Sequence, residues 1–240
     1  MNSFNSDFIK IWDLIESDIP FAYSRYADGE IALIQGKAIQ KGTQATDIDN
    51  WSCPNQITKL GIDLKNSLRH EEDNYFYAIC CDCCDSTGKK FLLENIKQKR
   101  EYITYSNLWI NSNYKKFIEK IKQIKKPINL LCNQNAKNKN FPFLTKTTLL
   151  FPNDCVSVWE NESDKIKEKL RTLFLNLKGE TFFISVGPMS EVIIDYLWSI
   201  NSSNQYIDVG SALDEYIHGR KTRPYMHEQS EFYFRECMFI

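Results

Sequence analysis

Two acidic side chains separated by a single glycine lie in the run Ser24-Arg25-Tyr26-Ala27-Asp28-Gly29-Glu30. Glycine accepts backbone bends that other residues resist, so Asp28 and Glu30 can turn toward one point. Two carboxylates with open positions suit Mg²⁺ or Mn²⁺, hard ions that take oxygen ligands and keep water and phosphate in their shells. Arg25, beside them, carries a planar fork of donors that fits a diphosphate. Tyr26 and Gly29 complete the segment as candidate contacts for a bound nucleotide. A plain structural role is open to the same residues: Asp28 as the cap of a following helix, and Glu30 at its positive end.

Three other stretches carry candidate chemistry. Phe182-Phe183-Ile184-Ser185-Val186-Gly187-Pro188-Met189-Ser190 reads as strand, glycine turn and helix, and backbone N–H groups at such a helix start attract phosphate. Gly187 and Pro188 are therefore candidate phosphate contacts, although the second and third glycines of the dinucleotide fingerprint are absent. Tyr206-Ile207-Asp208-Val209-Gly210-Ser211-Ala212-Leu213-Asp214 places an acid at a strand end about 20 residues beyond that turn, the position that often holds a ribose hydroxyl. Asp208 and Asp214 can equally be capping residues. The basic and aromatic run from His218 to His227 follows, able either to close over an anion or to remain a solvated tail.

Cys80-Cys81-Asp82-Cys83-Cys84 packs four thiols into five residues. Structural zinc sites usually join two separated Cys-x₂–₄-Cys elements, so a second pair would have to come from Cys53, Cys132, Cys155 or histidine. The simpler expectation is a set of small buried thiols near a strand end.

These residues need a scaffold. The chain has 240 residues, 42% hydrophobic and 25% charged, enough for a large single core without disulfides. A single domain over 1–240 is expected, with its core at about 20–225. The net charge of −1 does not suggest a nucleic-acid partner. No apolar run approaches the roughly 18–20 residues that cross a bilayer, and Met1–Asp7 lacks a signal-peptide pattern. A cytoplasmic protein with reduced cysteines is expected; peripheral contact with a membrane and self-association stay open.

Hydrophobic periodicity places helices at Phe8–Ile15, Glu30–Gln35, Ile57–Leu68, Lys89–Lys97, Tyr114–Ile124, Ile166–Leu177 and Pro188–Ile200. Strands are expected at Phe21–Tyr26, Tyr75–Cys80, Tyr102–Tyr105, Ile128–Cys132, Thr181–Val186 and Tyr206–Val209, with Asn133–Asn140 a loop and 142–159 illegible. The alternation implies an α/β, Rossmann-like fold, a largely parallel sheet flanked by helices. In such sheets ligands sit beyond the carboxyl ends of the strands, where the acidic and glycine-turn segments fall.

The segment Ser24–Glu30, followed by Gly36, resembles the S-R-[FY]-x-D-G-E opening of the GT-D-type glycosyltransferases. Phe183–Pro188 resembles that family's later strand and glycine turn, and Ile207-Asp208-Val209-Gly210-Ser211 its [IV]-D-[IV]-G strand end. The motifs occur in the family's order; Ala27 stands where a glycine is frequent. The resemblance implies a Rossmann-like fold and transfer of a sugar from a nucleotide diphosphate donor such as UDP-glucose to a glycan or glycoconjugate hydroxyl. It also implies Mn²⁺ at the acidic pair, here Asp28 and Glu30. Candidates for a base on the acceptor are Asp208, Asp214 and His227. Two rival readings remain: an S-adenosylmethionine-dependent methyltransferase with Gly187 as its turn and Asp208 on the ribose, and a non-catalytic protein whose cysteine cluster binds metal or senses redox state.

Overall fold

The computed structural model describes residues 3–40, 51–53 and 55–239. In chain order, helix α1 (Phe4–Glu16) leads into strand β1 (Phe21–Arg25) and helix α2 (Asp28–Ile34). Two short strands, β2 (Ile39–Gln40) and β3 (Ser52–Cys53), precede α3 (Lys59–Asn66). There follow β4 (Tyr75–Ile79), α4 (Asp82–Asn95), β5 (Ile103–Tyr105) and α5 (Tyr114–Gln123). The second half holds β6 (Ile128–Asn133), β7 (Thr145–Phe151), α6 (Cys155–Phe174), β8 (Thr181–Ser185) and α7 (Met189–Ile200). It ends with β9 (Gln205–Asp208), α8 (Asp214–His218) and the single turn α9 (Glu231–Phe234).

Seven strands form one sheet in the order β5-β4-β1-β9-β8-β6-β7, and every neighbouring pair is parallel. β2 and β3 make a separate antiparallel pair. The expected α/β, Rossmann-like architecture is therefore present.

Parallel strands are covered on both faces, and the side chains here divide with a period of two. Ala22, Tyr75, Tyr77, Ile79, Phe182, Ile184 and Tyr206 enter one core, beneath α2, α3, α4, α6 and α7. Phe21, Tyr23, Phe76, Ala78, Phe183 and Ile207 enter the other, against α1, α5 and α8. Helix α1 shows how sequence directs this packing. Phe8, Ile11, Trp12 and Ile15 recur at helical spacing and are buried, while the Ser3 hydroxyl accepts the Ser6 N–H at 3.2 Å to start the helix.

Several boundaries differ from the sequence expectation. Within 142–159 lies β7, an edge strand whose first four residues, Thr145-Lys146-Thr147-Thr148, are polar and only its last three apolar. Helix α6 begins at Cys155, well before Ile166. Asp154 in left-handed geometry (φ 56) caps it by accepting the Ser157 N–H at 3.3 Å, and the polar stretch 160–165 masks the periodicity. Helix α4 begins at Asp82 rather than Lys89, because Asp85 (φ −156, ψ 88) breaks it and leaves a short first turn with no apolar pattern. The connection 37–54 falls partly outside the described residues (41–50 and 54). No helix among the described residues is long and apolar enough to cross a membrane.

The acidic segment is carried on α2, and α2 is held by α3. Gly61 in α3 meets the backbone of α2 so closely that an added Cβ would lie 2.3 Å from the Leu33 carbonyl oxygen. Gly61→Ala must separate the helices, and overpacking of this kind costs about 1–3 kcal/mol. The expected result is a lower denaturation midpoint with an unchanged m-value in urea; a variant as stable as wild type would show that the two helices part without cost.

Candidate functional site

Beyond the carboxyl ends of β1, β6 and β8 lies a cavity of about 360 Å³. Its wall includes Arg25, Asp28, Glu30, Trp51, Gly187 and Asp214. The β1 exit and the β8 exit, far apart in sequence, thus face the same space, as the rule for parallel sheets requires.

At the β1 exit the chain makes a sharp division of labour. The Tyr26 N–H continues the ladder to the Ala78 carbonyl at 2.7 Å, and its side chain turns down into the core, 2.6 Å from the Ser67 hydroxyl. Tyr26 is fully buried and does not reach the cavity wall. Ala27 is extended (φ −128, ψ −161) and takes the capping position expected of Asp28, which instead begins the helix. The cap is supplied from within: one Glu30 oxygen accepts the Ala27 N–H at 2.7 Å, the reverse half of a capping box. Glu30 is 4% exposed, whereas Asp28 is exposed at the cavity wall. Gly29 lets the Trp51 indole close over this turn, since an added Cβ would sit 3.3 Å from the ring and 3.7 Å from Pro188.

Arg25 is fixed from below. Its Nε donates to Asp208 Oδ2 at 2.9 Å, and Asp208 Oδ1 accepts the Gly210 N–H at 2.7 Å. Asp208 is 1% exposed with both oxygens engaged, so in this structure it positions Arg25 rather than facing the cavity. Gly210 (φ +51) favours glycine for two reasons: the left-handed backbone, and a Cβ that would lie 2.7 Å from the Arg25 guanidinium carbon.

A third acid, Glu191 in the first turn of α7, joins them. It is fully buried, and neither carboxyl oxygen has a hydrogen-bond partner among the described residues. Burial, then the charges of Asp208 and Glu30, push its pKa well above the ordinary carboxylate value. Burial also pushes Glu30 up to about 7, against the pull of Arg25 and the Ala27 N–H, with Asp28 adding to the rise. Burial disfavours the Arg25 charge, but Asp208, Glu30 and Glu191 together outweigh it and raise its pKa. Glu191 was not singled out by sequence, because an acid in a helix's first turn ordinarily reads as a partner of the helix dipole.

The remaining candidates separate. Asp214 reaches the wall, with Oδ2 accepting from Arg223 Nε at 3.0 Å and from the Thr222 hydroxyl at 3.4 Å. His218 and Arg223 from the basic run also line the cavity; His227 is exposed and stands outside the wall. Gly187 (φ +63) and Pro188 form the opposite lip, where Ser190 N–H donates to the Gly187 carbonyl at 2.9 Å. Trp51 was the other residue missed, since nothing local marks an indole at the end of a long connection.

Two carboxylates on one turn, one exposed and one at the buried edge of a polar cavity, form a donor set that fits a hard divalent cation with water or phosphate completing its shell. The cation's charge would also offset the cost of ionising Glu30.

No family model matches the sequence, and no curated relative matches it. Among solved structures, the fold is similar to that of domain of unknown function 1792, described as having a distinct glycosyltransferase fold, with a TM-score of 0.57 and 16% identity over 89% of this chain and 79% of that one. A selenomethionine-substituted structure of the same domain gives a TM-score of 0.56 and 17% identity over the same shares. The chain therefore has a glycosyltransferase-type fold.

Two outcomes follow from this geometry. Gly210→Ala combines left-handed strain with a clash on Arg25, whereas Gly179→Ala (φ +69) has the strain with nothing within 4 Å. Strain alone costs on the order of 1 kcal/mol, so in chemical denaturation Gly210→Ala is expected to lose clearly more than Gly179→Ala; equal losses would mean that Arg25 moves aside freely. For Glu30, the native state holds its proton more tightly than the unfolded chain. That stabilisation is complete below the unfolded pKa near 4.5 and is lost as pH rises through about 7. Glu30→Gln keeps an acceptor for Ala27 and cannot ionise. In chelator it is expected to melt above wild type at about pH 8, by up to roughly 3 kcal/mol, with the advantage vanishing near pH 4.

Proposed function

We propose that this protein is a metal-dependent glycosyltransferase that moves a sugar from a nucleotide diphosphate donor, a UDP-sugar such as UDP-glucose, to a hydroxyl of a glycan or glycoconjugate. The observation that carries the reading is the convergence of Asp28, Glu30 and Arg25 on one wall of the cavity, facing the Gly187 turn. The glycosyltransferase-type fold supports it.

In this reading Asp28 and Glu30 hold Mn²⁺ or Mg²⁺. When bound, the ion supplies Lewis-acid neutralisation of the diphosphate as the bond to the sugar breaks. Arg25, kept charged by its carboxylate partners and fixed by Asp208, offers a preorganised cation to the same leaving group. The N-terminal end of α7 behind Gly187 adds positive potential from its backbone. Trp51 gives the cavity an apolar plate against which a base or sugar ring can lie. Inversion at the sugar carbon requires a group to take the acceptor proton. Asp214 is the candidate from the sequence that lines the cavity, and His218 stands with it.

The methyltransferase alternative asks Asp208 to grip a ribose. Its two oxygens hold Arg25 and the Gly210 N–H instead, and it leaves the acidic pair without a purpose.

Titration calorimetry of UDP and of S-adenosylmethionine, each with and without Mn²⁺, tests the proposal. The expected result is UDP binding that strengthens at least tenfold with Mn²⁺, loses that gain in Glu30→Ala, and has no counterpart with S-adenosylmethionine. Binding of S-adenosylmethionine without any response to UDP or metal would overturn it.

A further inference from the structure

Away from the cavity, the cysteines of the β4 exit meet a partner from the other end of the chain. The sulfurs of Cys81, Cys83, Cys84 and Cys237 all lie within 4.8 Å of one another, with Cys81 and Cys83 at 3.1 Å and Cys83 and Cys84 at 3.9 Å. A tetrahedral zinc ion at about 2.3 Å from each thiolate places sulfurs roughly 3.8 Å apart. We propose that Cys81, Cys83, Cys84 and Cys237 are the four ligands of a structural zinc site.

The local fold explains the convergence. Cys81 is the extended residue that caps α4, and the break at Asp85 leaves Cys81–Cys84 as a free-standing turn closed by the Cys84 N–H on the Cys81 carbonyl at 3.1 Å. The C-terminal segment then runs back across it. Ser112 N–H donates to the Arg235 carbonyl and Asp82 N–H to the Met238 carbonyl, both at 3.2 Å, and Phe239 stacks on Tyr105 at 4.1 Å. The Arg235 guanidinium also bonds the Cys83 carbonyl. Cys237 is thereby held 2% exposed beside Cys81, itself 1% exposed. The expectation from sequence is corrected here. Cys80 is not a member, since its sulfur points at the Tyr26 carbonyl at 3.7 Å. Cys132 and Cys155 do not belong to the group of sulfurs gathered here, and the side chain of Cys53 lies outside the described residues. The fourth ligand is Cys237, which no local spacing could reveal.

The surroundings suit thiolates. Asn107 Nδ2 donates to Cys84 at 3.2 Å and to Cys237 at 3.8 Å, and Asn111 Nδ2 donates to Cys237 at 3.5 Å. Such outer donors orient ligands and spread their negative charge. Four soft sulfurs select zinc, whereas the carboxylates Asp28 and Glu30 offer only hard oxygen, so the two sites take different metals. An iron–sulfur cluster distributes its cysteines over several irons and needs some of them farther apart than these. The bound ion would clamp the C-terminal segment to the β4–α4 turn, closing a loop of more than half the chain.

The test is elemental analysis of untagged full-length protein prepared under reducing conditions with zinc, together with cobalt substitution. The expected results are about one zinc per chain and the intense charge-transfer and ligand-field bands of a tetrahedral cobalt thiolate. In chelator competition, Cys237→Ser and Cys83→Ser are expected to weaken zinc at least tenfold, while Cys132→Ser and Glu30→Gln leave it unchanged. If the ligand variants fail to fold, the wild-type zinc content and cobalt spectrum decide alone. Substoichiometric zinc with no thiolate bands, a disulfide among these four cysteines in reduced preparations, or bound iron with sulfide would each overturn the site. None of these results bears on UDP binding, so this inference stands or falls apart from the proposed function.

Discussion

One half-buried guanidinium organises the polar end of this protein. Asp208 closes the central strand β9, and Arg25 closes its neighbour β1; their contact at 2.9 Å ties the two strand ends together where the sheet meets the cavity. A charge pair in such a place is stable only when its remaining donors and acceptors are met. The second Asp208 oxygen is met by the Gly210 N–H, and the charges of Asp208, Glu30 and Glu191 favour the charged form of Arg25. Remove the guanidinium, and Asp208, Glu30 and Glu191 would face one another without compensation. Glu191 already reflects that crowding, since burial and its neighbours' charges raise its pKa.

The elements around this pair serve to hold it. α2 is pinned by Glu30 capping its own start and by Gly61 bringing α3 against its backbone. Trp51 bridges the acidic turn and the Gly187 turn, so two exits from different parts of the sheet form one lip. The apolar layers on both faces make the sheet rigid beneath them, and the cavity inherits that rigidity.

The fold was legible wherever burial is two-sided. Phe21–Arg25, Tyr75–Ile79 and Thr181–Ser185 are almost wholly buried and stand out as strands; Thr145–Phe151 does not, because an edge strand mixes lysine and threonine with its apolar positions. Helix starts were hidden where the cap is unusual, as with left-handed Asp154 or with Ala27 capped from Glu30. At the site, residue type and glycine spacing were enough to bring forward Asp28, Glu30, Arg25 and Gly187, all of which line the cavity. Glu191, Trp51, His218's place in the wall and Cys237 depend on contacts between distant segments, and a sequence carries no local mark of those. Asp208 was found by position, but its partner, and hence its task of holding Arg25, belongs to the tertiary structure.

The placement of β1 between β4 and β9 has a kinetic consequence. Phe21 pairs with Gln205, so the middle of the sheet joins residues from near the beginning of the chain to residues near position 205. Contacts of such long sequence separation demand loop closure before they return any stabilisation, and they slow folding. β1 pairs with β4 across a far shorter stretch of chain than with β9, so the β9 ladder carries the larger closure cost. Arg25 and Asp208 meet across that same long closure. A half-folded chain would therefore carry the acidic turn with its cation unanchored, and the binding surface becomes whole only when the entire sheet does.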